Sequence, residues 1–124
     1  MPLSTRAEAP TFTLPGFTFH PLATPSRGSA ELAVWTVEME PAAAGEPHSL
    51  DREEVFVVVS GRVSAVVGGE EWTAGPGDAL TVPPGTEFAL RNASAEEPAR
   101  LTVATTVGVT ARLGDAVISP PWAR

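Results

Sequence analysis

The chain has 124 residues, enough for one domain with its own core and too few for two. Apolar residues make up 43%, a globular composition, and a net charge of -7 leaves no basic footprint for nucleic acid. Cys, Lys and Tyr are absent, which excludes thiol nucleophiles, Schiff-base lysines and tyrosine acids.

Residues 1–17 predict an arm. Pro2, Pro10 and Pro15 break helix, while Phe12, Leu14 and Phe17 alternate with polar or turn residues, so the arm is either frayed or paired with a neighbouring edge. The stretch 31–39 has a period of two, with Ala33, Trp35, Val37 and Met39 on one face, and predicts a strand. Residues 41–47 are a loop between Pro41 and Pro47. Residues 54–59 are β-branched and aromatic, a buried strand by composition. Gly68-Gly69 between the runs 62–67 and 70–73 predicts a two-residue hairpin.

A turn at 75–78 leads to strand 79–82, the Pro83-Pro84-Gly85 break, strand 86–91 and a turn at 92–98. Strands over 100–107 and 109–113 precede a proline-rich tail. No amphipathic helix stands out, and short strands at even spacing predict an all-β sandwich or barrel. The division is an arm with edge strands over 1–30, a barrel over 31–113 and a tail over 114–124. No apolar run approaches the roughly 20 residues that span a bilayer. The first residues lack the apolar stretch of a secretory leader, so a cytoplasmic protein without membrane or nucleic-acid partners is expected.

Strand parity puts His48, Glu54, Phe56 and Val58 on one face. With Gly61 closing that stretch, and Gly77, Pro83, Gly85 and Asn92 spaced through the next hairpin, the sequence resembles the cupin family, its small single-domain members in particular. His48 matches the first histidine of the family's first motif, Glu54 its glutamate and Gly61 its closing glycine. Gly77, Pro83, Gly85 and Asn92 match the second motif. The resemblance spans roughly residues 31–107. It implies a double-stranded β-helix, the jelly-roll cupin barrel, and a homodimer whose N-terminal segment often crosses to the partner sheet.

The family's metal site takes two histidines and a glutamate from the first motif and a histidine from the second. Here Leu50 and Phe88 stand at two of those four positions. A divalent site ordinarily needs three protein ligands, so a degenerate, metal-free site without cofactor is expected unless His20 folds into the barrel mouth. Glu54, if it points inward beside Leu50 and Phe88, has its pKa raised by desolvation, and a nearby His48 shares its proton. Candidate lining residues by parity are Trp35, Met39, Leu50, Phe56, Leu80, Phe88 and Leu90. Trp72 is assigned to packing, and Trp122 in the proline-rich tail to covering the barrel or a neighbour.

Three functions remain open at this level. The barrel binds a small, partly apolar molecule anchored by His48 and Glu54. Alternatively it is a cupin-type isomerase, cyclase or dioxygenase using that pair as acid and base or as weak metal ligands. The third alternative is a structural barrel with a filled core.

Overall fold

The computed structural model describes residues 2–124. Its strands, in chain order, are β1 (Phe12–Leu14), β2 (Phe17–Ala23), β3 (Leu32–Met39), β4 (Ser49–Leu50), β5 (Glu54–Ser60), β6 (Val63–Val67), β7 (Glu70–Ala74), β8 (Ala79–Val82), β9 (Phe88–Asn92), β10 (Ala99–Thr106), β11 (Ala111–Leu113) and β12 (Ala116–Ile118). Among the described residues no helix is long and apolar enough to cross a membrane.

Sequences of period two build the first layer, a six-stranded antiparallel sheet in the order β1-β2-β3-β10-β5-β8. β10 lies at its centre, with Val103 opposite Trp35 on one side and Phe56 on the other. The inward residues of β3, β10 and β5 are buried, and Leu101 and Val103 are fully so. Each such aliphatic side chain contributes about 1.5–3 kcal/mol on leaving water.

The second layer consists of β7-β6-β9 and β12-β11-β4, joined by the bridge His48↔Phe88. The His48 amide donates to the Phe88 carbonyl at 3.0 Å, and the Phe88 amide donates back at 2.8 Å. The Gly45 amide donates to the Leu90 carbonyl, the Asn92 amide to the Ala43 carbonyl and the Gly85 amide to the Leu50 carbonyl. Residues 43–50 therefore run alongside 85–92, and the segment expected as a loop at 41–47 is partly a strand-like rail. Its backbone groups are paired because they lie inside a layer, where an unpaired amide is costly.

Turn chemistry sets the register. Gly68 and Gly69 have φ of +56° and +87°, the doubly left-handed geometry of a two-residue hairpin. Gly61 has φ +79°, and a Cβ there would lie 2.6 Å from the Pro98 carbonyl oxygen. Buried Asn92 donates from Nδ2 to the carbonyls of Met39, Glu40 and Glu97 and accepts at Oδ1 from the Ser94 amide. One side chain thus ties β3, β9 and the turn at 92–98.

Both chain ends join the sheets. β2 pairs along most of β3, and β1 pairs with β2. The arm lies on its own chain, where Arg27 donates to the Thr5 carbonyl at 2.8 Å and Arg6 approaches Glu38 at 3.8 Å. Instead of a tail, residues 116–118 pair with β11, and a 3-10 turn at Pro121–Ala123 packs back onto β2 and β3.

Candidate functional site

A cavity of about 180 Å³ opens between the layers. Phe17, Phe19, Trp35, Phe56, Phe88 and Trp122 supply aromatic wall, with Leu90 and Leu113 among the aliphatic residues. Phe56 and Phe88 meet edge to face at 5.5 Å, and Trp122 stacks on Phe19 at 3.8 Å and 7°. The polar side chains in the lining are Glu46, His48 and Glu54.

Glu54 opens β5, paired with Val82 of β8, and inward parity with Phe56 aims it at the cavity. Only 4% of it is exposed. Burial pushes its carboxyl up to about 8, because the charged form loses its hydration and gains no compensating charge. At that value most of the carboxyl holds its proton at pH 7.

His48 is half-buried on the rail beside β9. Its Nδ1 lies 2.8 Å from the Glu46 carbonyl oxygen. A carbonyl only accepts, so Nδ1 carries a proton, and in the neutral ring Nε2 is the acceptor. The ring rests against Phe88, with centroids 4.4 Å apart. No hydrogen bond joins His48 to Glu54 among the described residues. The shared proton expected between them is absent, because the Glu46 carbonyl and Phe88 hold the imidazole instead.

Of the other residues expected to line the site, Trp35, Phe56, Phe88 and Leu90 do so, whereas Met39, Leu50 and Leu80 do not. Met39 and Leu50 are buried in the core, and Leu80 packs against it from the edge strand β8. Parity fixes which face a side chain takes; it does not fix its height along the strand or its distance across the sheet. Leu14, Phe17 and Phe19 were not expected, nor were Ile118, Pro120 and Trp122 as lining. The alternation of Phe17 and Phe19 was the available signal, but the prolines around them obscured it.

The family's four-ligand set is not assembled among the described residues. His20 is buried, with Nδ1 3.4 Å from the Thr11 hydroxyl, and is absent from the cavity lining. Its neighbours Phe19 and Pro21 take the inward parity of β2. Leu50 and Phe88 bring no donor, and no group of three possible ligands occurs among the described residues. The residues present do not fit a three-ligand site.

The family model described as Cupin domain matches residues 35–108, more than half of the chain. The chain is a cupin. Its barrel is similar to the polyketide cyclase RemF from Streptomyces resistomycificus, with a TM-score of 0.78 and 18% identity over 94% of this chain and 83% of that one. It is also similar to KdgF from Halomonas sp., at a TM-score of 0.73 and 21% identity over 91% and 96% of the two chains. A cupin-superfamily sugar phosphate isomerase from Silicibacter pomeroyi gives a TM-score of 0.73 and 21% identity over 93% and 83%. At these identities the likeness is one of fold. No curated protein sequence matches this cupin.

Proposed function

We propose that this cupin binds a small, largely apolar molecule in the mouth of its barrel, without a metal, and that Glu54 and His48 are its polar anchors. The observation that supports this best is Glu54 itself. It lines an apolar cavity, deeply buried, with no ion pair or hydrogen bond from the described residues. A carboxyl left in that state costs stability, and a ligand atom that hydrogen-bonds to it recovers part of the loss. The open cavity counts against a structural barrel with a filled core.

Toluene is a suitable first probe. Titrated into isotopically labelled protein, it should shift the amide signals of Phe19, Phe56, Phe88 and Trp122 more than those of the outer sheet face. Shifts spread evenly over the chain, or none, overturn the reading. Near-stoichiometric iron, nickel, zinc or manganese by elemental mass spectrometry would overturn its metal-free part.

The raised Glu54 pKa also favours a second reading, an acid–base enzyme, since a group titrating near the working pH makes an effective proton donor. Glu54 would give its proton to a carbonyl oxygen while His48 Nε2 takes one from the adjacent carbon. The names of two neighbours, a cyclase and an isomerase, agree with such chemistry. Solvent deuterium exchange at the methyl group of acetophenone tests it. Wild-type protein should catalyse exchange, and Glu54→Gln or His48→Ala should slow it by about 100-fold or more. Equal exchange with and without protein ends the enzyme reading and leaves the binding one.

The chain is further proposed to work as a homodimer. The outward side of the six-stranded layer supports this, because Val34, Val55, Val57, Thr102 and Ala104 are adjacent there by register and carry no charge.

A further inference from the structure

The chemistry of the cavity narrows the ligand, on the reading that the cavity is a ligand site. Its volume sets the size. A dry cavity of about 150 Å³ accepts benzene, so about 180 Å³ holds one substituted ring. Its wall sets the shape. Six aromatic side chains surround the space, and such rings favour a planar partner through offset and edge-on contacts.

Its polar groups set the charge. Glu46, His48 and Glu54 are in the lining, and no arginine is, although the chain has eight cations. An anion here would be desolvated without a cation to meet it and would sit near two carboxyl groups. A neutral carboxyl carries one donor and one acceptor, which a hydroxyl satisfies from both sides. His48 Nε2 adds a second acceptor at the mouth.

We propose that the cavity takes a neutral single-ring phenol, its ring among Phe56, Phe88 and Trp122 and its hydroxyl against the Glu54 carboxyl. Carboxylate- and phosphate-bearing ligands are rejected by the same lining. The selectivity belongs to this chain's own residues, since Phe88 brings ring surface where the family motif has a histidine.

Isothermal titration of the full chain with phenol, benzoate, toluene and cyclohexanol at pH 7 tests the proposal. Phenol should bind at least tenfold more tightly than benzoate and cyclohexanol, with toluene between. Phenol affinity should fall as the pH passes about 8, where Glu54 ionises, well before phenol itself does near pH ~10. In Glu54→Gln the fall should vanish, because the amide keeps a donor and an acceptor at every pH. Benzoate binding as tightly as phenol overturns the charge argument. Cyclohexanol matching or exceeding phenol overturns the ring argument and leaves the apolar-ligand site standing. If none of the four binds, the ligand-site reading fails as well.

Discussion

Two residues sit in conformations or environments that they tolerate at a cost, and both costs are measurable. Glu54 has a folded-state pKa of about 8 against an ordinary 4.5. Raised in the folded state, it holds its proton more tightly there than in the unfolded chain. The stability associated with that proton is complete below pH 4.5, declines as pH rises toward 8, and is gone above. Glu54→Gln should therefore match wild type near pH 4.5 and exceed it by roughly 3–5 kcal/mol at pH 8. Chemical denaturation at pH 4.5, 6 and 8 measures the difference, and a constant gap across that range would show that the carboxyl is not neutral when folded. Ala42 is the second case. It is the one non-glycine residue with positive φ among the described residues, at +62°. Ala42→Gly should stabilise the fold by about 1 kcal/mol, since the left-handed conformation strains a Cβ.

At the scale of elements, the C-terminal segment changes role most between sequence and structure. β12 extends β11, and the turn after it brings Trp122 onto Phe19. The Ser26 hydroxyl holds the chain end, donating to the Arg124 carbonyl at 2.6 Å, and Ala123 is buried. These contacts make the segment a wall of the cavity. Trp122→Ala should cost about 2 kcal/mol in stability, from a half-buried ring and its stacking partner. It should also weaken phenol binding at least fivefold in titration. A loss of stability with unchanged binding would confine Trp122 to packing.

For the whole molecule, the strip of Val34, Val55, Val57, Thr102 and Ala104 on the outward side of the six-stranded layer is the proposed meeting surface, bounded at one end by the charged pair of Glu38 and Arg100. Val57 on β5 is 37% exposed, between Thr102 on one side and Ala79 of the edge strand β8 on the other. If two copies meet there, Val57→Arg should halve the mass measured by light scattering while leaving the circular dichroism spectrum unchanged, because a guanidinium buried at a symmetric interface meets its own copy. A monomeric wild type would end the homodimer proposal.

Period-two alternation in 31–39 and 54–59 and paired glycines at 68–69 are local facts, legible in the sequence as an all-β sandwich or barrel. The narrowing to a jelly roll came from the cupin resemblance that Gly77, Pro83, Gly85 and Asn92 carry. The alternation also singled out Glu54, whose parity with Phe56 favoured an inward side chain over a partnered one at the strand edge. Tertiary structure alone decided what surrounds that carboxyl. The imidazole of His48 turned to the Glu46 carbonyl rather than to Glu54, and His20 fell on the far face of β2. Met39, Leu50 and Leu80 packed away from the cavity, while Phe17, Phe19 and Trp122 closed in from the two ends of the chain. Such choices depend on height along a strand and distance across a layer, and the pattern of alternation within any one segment carries neither.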